Sequence, residues 1–256
     1  MVRQLLPREH GAYAQLAFPL LSGLLLGKPA ASAVGFAATA ILFFLAHEPV
    51  AILLGIRGAR LNRELAGIAR RRAHLLVSGG LLSGLAALFT APPEAKLLAV
   101  IPLVLLAALA FFIFTKNVKT LAAEVIIAGC FASMHLPVGY VSGVRSVLLG
   151  GPALIWFVCF VGGILSVHAI KRRRLGHRGW MEHAAVAMSG GTLFFAMALA
   201  FSKTGYQLIG RAALIPAAVL FGVNLLRVHP RSLKIIGWSL VAANTAALIV
   251  LIGAAR

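Results

Sequence analysis

The sequence predicts an all-α, polytopic membrane helix bundle with nine transmembrane helices. First, 61% of the 256 residues are hydrophobic and only 12% are charged, whereas a soluble domain has about 45–50% apolar and roughly 25% charged residues. Second, the mean hydropathy is +0.96. Third, apolar runs of about 20 residues, the length that crosses a bilayer, recur between short polar breaks. This pattern excludes an ordinary soluble enzyme, a disordered chain and a collagen-like fibre.

The first four spans end at helix-breaking or charged segments. The first begins among polar residues and stops at Gly27-Lys28-Pro29, and the second stops before a basic stretch at about 55–73, which we expect to be a loop. Adjacent prolines at Pro92-Pro93 separate the third span from the fourth. These four spans are predicted at about 11–27, 31–54, 74–91 and 97–114.

The last five spans follow the same rule. Ser142-Gly143 ends the fifth, a second basic stretch at about 171–182 separates the sixth from the seventh, and His229-Pro230 precedes the ninth. They are predicted at about 119–141, 148–170, 183–201, 206–226 and 232–254. We therefore expect one transmembrane domain, over residues 1–256, with no soluble domain attached.

The charge distribution predicts the topology. The chain has 24 Lys and Arg residues and six acidic residues, all of them Glu. If the N-terminus is cytoplasmic, nine spans place three quarters of the 24 basic residues on the cytoplasmic side and the C-terminus outside. We therefore expect the basic residues to set the topology and to contact anionic lipid headgroups, and we expect no nucleic-acid partner. We expect a multi-pass protein of the bacterial cytoplasmic (inner) membrane; its oligomeric state is not indicated.

Ionisable residues at membrane depth are costly, so each one marks a candidate site. Those of this chain fall at the predicted cytoplasmic ends of spans 1, 2, 5, 6 and 7, and we expect them to converge on one polar chamber open to the cytoplasm. The candidate catalytic residues are His47, Glu48, Glu124 and His168. The candidate ligands for an anionic substrate are Arg8, His10, Lys116, Lys119, Lys171 and Arg172. The alternative is that such side chains merely extend to the membrane interface.

Two features near these residues complete this prediction. Pro49 follows Glu48, and because proline lacks an N–H it leaves helix carbonyls free beside the polar pair. His135 lies about 16 Å along a helix from Glu124, too far to share its site. His135 is therefore predicted to be a hydrogen-bonded core histidine.

Three segments carry a family resemblance. The N-terminal PREHGAYAQLAFPLLSGLL, the HEP at the end of the second span and the TKNVKTLAAEVIIAG before the fifth resemble the YwiC-like family of bacterial membrane proteins. More distantly, the chain resembles the UbiA prenyltransferase superfamily. That resemblance implies nine helices, a cytoplasmic N-terminus and a cavity that opens to the cytoplasm.

The UbiA resemblance also assigns residues. It places His47-Glu48 and the segment from His168 to Arg172 where that superfamily carries two Asp-rich motifs, and Lys116, Lys119 and Arg8 where it carries basic residues. This chain has no Asp. Two Mg²⁺ ions need several oxygen ligands, so the substitution of the motifs disfavours the usual Asp–Mg²⁺ mechanism.

Four functions stay open. The first is binding or transfer of an isoprenoid or lipid with an anionic, diphosphate-like head, in which Lys and Arg replace the metal charge; the protein would then be a transferase or a lipid binder. The second is a metal-dependent enzyme using Zn²⁺, Fe²⁺ or Mn²⁺. Its candidate ligands are Glu9, His10, His47, Glu48, Glu124, His168 and His183. The third is an anion transporter, and the fourth is a non-catalytic membrane scaffold.

Overall fold

A computed structural model describes residues 5–7, 10–174, 179–203, 205–226 and 232–255. Within those residues the regular structure is helical and no strand occurs. In chain order the helices are α1 (His10–Leu25), α2 (Ala31–Leu53), α3 (Ala59–Thr90), α4 (Pro93–Phe114), α5 (Leu121–Ser133), α6 (His135–Val141), α7 (Val147–Arg174), α8 (Trp180–Phe201), α9 (Gln207–Leu225) and α10 (Leu233–Ala255). The predicted all-α class is confirmed.

The helices form membrane spans. Eight segments of the described chain are long and apolar enough to cross a membrane, with α5 and α6 together counting as one, and α1 is a shorter apolar helix. Large apolar side chains face outward, including Phe89 at 82% and Phe201 at 81% exposure. Such surfaces are rare on soluble monomers but suit contact with lipid tails. The protein is therefore a multi-pass helical membrane protein, although α1 is shorter than the nine-span prediction requires.

The chain divides into two compact units, Met1–Gly143 and Val144–Arg256. The first unit contains α1 to α6 and the second contains α7 to α10. The sequence led us to expect a single transmembrane domain, and the boundary between the units lies just after the Ser142-Gly143 break that ends the fifth span.

Small residues bring α2 and α3 together in the first unit. A Cβ at Gly35 would lie 2.9 Å from Cβ of Ala87, and the hydroxyls of Thr39 and Ser83 are 3.2 Å apart across the helix pair. Close backbone approach and interhelical hydrogen bonds are what hold helices together in lipid, where apolar burial gives little advantage. These contacts set the position of α2 along α3, and therefore the position of the polar end of α2.

The fifth span is interrupted at Met134, between α5 and α6. Pro137 explains the break, because it has no N–H to donate to the carbonyl of Ser133, four residues earlier. The chain tightens there through a hydrogen bond of 3.2 Å from the Met134 N–H to the Phe131 carbonyl. The break places His135 at the start of α6, fully buried.

The expected loop at 55–73 is mostly helix, so that part of the prediction is wrong. α3 begins at Ala59 and runs without interruption into the third span, over 32 residues. Ala, Leu, Arg and Glu, which dominate its first half, are strong helix formers. Arg60 also pairs with Glu64, one turn on, at 2.8 Å. The expected loop at 171–182 is likewise shortened, since α7 continues to Arg174.

The second unit is built around a close contact between α8 and α9. Gly210 lies so near the backbone of Leu199 and Ala200 that a Cβ there would collide with it. Trp156 of α7, completely buried, stacks on Phe160 with ring centroids 6.4 Å apart. This packing brings the ends of α7, α8 and α9 together within the unit.

Candidate functional site

The polar end of α2 is closed by a turn that reverses the chain. Gly55 has φ +72°, a conformation that favours glycine. The N–H of Gly55 donates to the Ile52 carbonyl at 3.0 Å and that of Ile56 to the Ala51 carbonyl at 2.9 Å, the two bonds of a Schellman C-cap. The Asn62 side-chain amide donates to the Leu53 carbonyl at 3.2 Å. The free carbonyls of the helix end are thus satisfied, and Arg57 is turned back toward α2.

Arg57 then meets Glu48 inside the first unit. Nη2 of Arg57 lies 2.6 Å from Oε2 of Glu48, and the two side chains are 26% and 1% exposed. The other carboxylate oxygen, Oε1, and Nε of Arg57 are buried with no hydrogen-bond partner among the described residues. A buried carboxylate is tolerated only when its charge is paired, so Arg57 is what allows Glu48 to lie at this depth.

His47 and Pro49 flank this pair. Pro49 lies inside α2 and is fully buried, as the sequence predicted for a helix interior at this point, while His47 is half-buried. Three more of the predicted groups of the first unit lie at the junction of α4 and α5. Lys116 and Lys119 are exposed there, and Glu124 is in the first turn of α5, closer to the helix end than predicted. A carboxylate in a first turn also interacts favourably with the helix dipole.

Lys116 has an unusual backbone conformation. Its φ is +57°, and its N–H donates to the Ile113 carbonyl at 3.1 Å while that of Asn117 donates to the Phe112 carbonyl at 2.9 Å. This is the same Schellman geometry as at Gly55, with lysine at the position that glycine favours. The left-handed conformation costs a non-glycine residue roughly 1–2 kcal/mol.

A second arginine–glutamate pair joins α7 to α8 in the second unit. Nε of Arg173 lies 2.9 Å from Oε1 of Glu182, with the side chains 22% and 17% exposed. Glu182 is in the first turn of α8, where the helix dipole favours an acid. Nη1 of Arg173 is buried and has no hydrogen-bond partner in the described part of the chain.

This pair lines a cavity of about 480 Å³ within the second unit. Its polar lining consists of Arg173, Glu182, His183 and Asn224. Its apolar lining consists of Ala169, Val186, Ala187 and Leu225. The side-chain amide of Asn224 donates to Oγ of Ser189 at 3.2 Å and to the Ala185 carbonyl at 3.3 Å, which holds this end of α9 against α8. The cavity thus combines a guanidinium side chain with apolar walls.

The predicted groups of α7 are close in sequence to the two α7 residues that line this cavity, Ala169 and Arg173. His168 is half-buried, and Lys171 and Arg172 are exposed. The helix continues through all three, so they share one face, as predicted. His183, predicted only as a metal ligand, lines the cavity and is exposed.

The predicted chamber draws residues from both units. His47, Glu48 and Glu124 belong to the first, whereas His168 and His183 belong to the second. Arg8 and Glu9 lie outside the described residues, and His10 begins α1. In the described ranges no three His, Cys or Glu side chains are grouped as a metal site requires, so the metal hypothesis gains no support. Convergence of the two sets stays a prediction.

The sequence interpretation missed both arginines that hold the glutamates. Arg57 and Arg173 were counted only as topological charges. A signal existed in each case: Gly55, a typical helix C-cap, places Arg57 just beyond the end of α2, and Arg173 follows the selected Lys171 and Arg172 on one helix.

The predicted core histidine is confirmed. His135 is fully buried, and its Nδ1 lies 2.8 Å from the Ser22 hydroxyl of α1. Next to it, the Lys28 N–H donates to the Ser142 carbonyl at 2.7 Å. These contacts fasten α1 to α6 and are structural.

The fold and its charged helix ends define a multi-pass, all-α membrane protein with arginine–glutamate pairs at two helix ends. Within that class, the family model of YwiC-like proteins matches residues 6–140. The chain therefore belongs to the YwiC-like family. No curated protein and no solved structure matches it. The matched residues include Glu48, Arg57 and His135, whereas the Arg173–Glu182 pair lies beyond them.

Proposed function

We propose that the protein binds the anionic head of a membrane lipid or isoprenoid in the cavity of its second unit. The observation that carries the proposal is the Arg173 side chain, which lines a cavity of about 480 Å³ and whose Nη1 is buried without a hydrogen-bond partner among the described residues. A buried donor without a partner costs about 1–3 kcal/mol. An anionic oxygen that enters the cavity and hydrogen-bonds to Nη1 would remove that cost, and a guanidinium is well suited to phosphate or carboxylate oxygens.

The charge around the cavity favours an anion. The ion pair joins Oε1 of Glu182 to Nε of Arg173, and Nη1 has no partner among the described residues, so the guanidinium keeps donor capacity. Lys171 and Arg172 precede Arg173 on α7 and are exposed. Their combined positive charge raises the local concentration of anionic ligands.

The shape and lining favour a lipid over a free anion. The volume lies within the roughly 300–1,000 Å³ of ordinary ligand sites. Four apolar residues line it, and one of them, Leu225, is 59% exposed on the surface that faces lipid tails. A headgroup in the cavity would place its tail along that surface.

The proposal includes the cytoplasmic side of a bacterial inner membrane as the place of binding, because the last turn of α7 includes the basic residues Lys171, Arg172 and Arg173. It concerns binding. If a transfer reaction follows, the imidazole of His183 is the cavity group that we propose as its acid or base.

Binding is tested on the full chain in detergent micelles with dioctanoyl phosphatidic acid, and dioctanoyl phosphatidylcholine as the zwitterionic comparison. Arg173→Gln should weaken phosphatidic acid binding by about tenfold or more, the loss of one charge-assisted hydrogen bond. Arg211→Gln is the matched control, since Arg211 is exposed near the other end of α9 and its replacement removes the same charge.

A second variant separates binding from folding. Glu182→Gln removes the negative charge that Arg173 faces while the amide Oε1 can still accept a hydrogen bond from Nε, so it should keep or increase the affinity for an anion. If Glu182→Gln and Arg173→Gln weaken binding equally, the pair is structural and the proposal fails. It also fails if Arg211→Gln has the same effect as Arg173→Gln.

A further inference from the structure

The unpredicted first half of α3 extends beyond the membrane. The helix has 32 residues, which corresponds to about 48 Å at 1.5 Å per residue. The hydrocarbon layer is about 30 Å thick and needs roughly 20 residues. The apolar part of α3 begins after Arg70, Arg71 and Arg72, so residues 59–69 lie outside the hydrocarbon.

One face of this extension is fixed against the first unit. Leu65 and Ala69 are buried in a cluster with Leu5 and Ile52, and Ala73 continues the same face at 7% exposure. These positions recur every four residues, as on one side of a helix. The opposite side of the extension is therefore held toward solvent.

That solvent side carries an arginine stripe, defined here as Arg60, Arg63, Arg70 and Arg71. All four are exposed, and spacings of three, seven and one residues place them within one helix face. Among the described residues, the acidic side chain paired with the stripe is Glu64, which contacts Arg60. Gly67 lies between the two arginine pairs with open space where a side chain would be.

The position and charge of the stripe indicate its partner. Arg60 lies about 18 Å along the helix from Arg72, where the hydrocarbon layer begins. The headgroup layer is only about 5–8 Å thick on each side, so Arg60 and Arg63 stand beyond it. A second copy of this chain is a poor partner, because it has only six acidic residues and a net charge of +18.

We infer that the arginine stripe of α3 docks an acidic segment of a water-soluble protein, with the gap at Gly67 receiving its backbone. The inference does not depend on the lipid site of the second unit. Because the contact is between exposed charges, its affinity falls as the salt concentration rises. Anionic lipid headgroups are the competing occupant.

The test uses the full chain in nanodiscs of phosphatidylcholine and a fluorescent poly-glutamate peptide, followed by fluorescence anisotropy. The double variant Arg60→Gln/Arg63→Gln, which changes the two arginines beyond the headgroup layer, should raise the dissociation constant about tenfold. Both residues are exposed, so the fold is expected to persist; an unchanged unfolding midpoint checks this. The matched control is Lys28→Gln/Lys96→Gln, which removes the same charge from exposed positions just before α2 and in the first turn of α4, and should change the constant less than about twofold.

Three results overturn the inference. The first is no peptide binding by the unmodified protein. The second is an equal loss in the stripe variant and the lysine control, which reports net charge alone. The third is loss of peptide binding when phosphatidylglycerol is added to the nanodisc, which assigns the stripe to headgroups.

Discussion

The two units each place an arginine–glutamate pair at a helix end, with partners nine residues apart in both. In the first unit the acid comes first, and Glu48 is held 2.6 Å from Arg57 with its side chain 1% exposed. In the second the base comes first, and Glu182 is 17% exposed beside a cavity. The pairs have the same chemistry and differ in burial.

This difference assigns them different roles. Removing one member of a buried pair leaves an uncompensated charge in a low-dielectric interior, so the loss of stability is large. Removing one member of a partly exposed pair leaves a charge that water can reach, so the loss of stability is small. We therefore regard Glu48–Arg57 as an element of the fold and Arg173–Glu182 as a binding element.

The largest expected effect is in the first unit. Arg57→Gln should lower the free energy of unfolding by about 3–5 kcal/mol, because the Glu48 carboxylate is left buried and unpaired. Denaturant titration in mixed micelles measures it. The double variant Glu48→Gln/Arg57→Gln should recover most of the loss, since no charge stays buried. Equal instability of the single and double variants would show that packing, and not charge, explains the effect.

An uncharged buried contact of the same unit should matter less. Ser22→Ala removes the hydroxyl that lies 2.8 Å from Nδ1 of His135, at an expected cost of about 1–2 kcal/mol in the free energy of unfolding. The same titration measures it, with Ser78→Ala on the exposed side of α3 as control. A loss as large as that of Arg57→Gln would contradict the ranking by charge.

The smallest stability effect is expected in the second unit. Arg173→Gln should lower the free energy of unfolding by less than about 1 kcal/mol, because water reaches the carboxylate of Glu182, which is 17% exposed, once the arginine is removed. The unfolding midpoint, compared with that of Arg211→Gln, measures it. A loss of several kcal/mol would make this pair structural as well.

Much of the fold was predictable because lipid imposes one strong rule: long apolar runs between polar breaks become helices. Residues 31–54, for example, were predicted as a span and form α2 as Ala31–Leu53. The same rule failed for residues 59–73, where helix formation depends on propensity and on burial of Leu65 and Ala69, neither of which hydropathy measures.

The site was predictable only in part. Glu48 and His183 could be selected as ionisable residues near span ends. Their surroundings could not, because the partner of Glu48 is set by the turn at Gly55 and the cavity beside His183 by the packing of α7, α8 and α9. Contacts of this kind arise from tertiary structure.

The central claim is that one pair holds the fold while the other holds a ligand. It is tested by the increase in the free energy of unfolding that saturating dioctanoyl phosphatidic acid causes, since a ligand of the folded state stabilises it. We predict the same increase for the unmodified protein and Arg57→Gln, whatever their starting stability, and little or none for Arg173→Gln. An undiminished increase in Arg173→Gln would contradict the account.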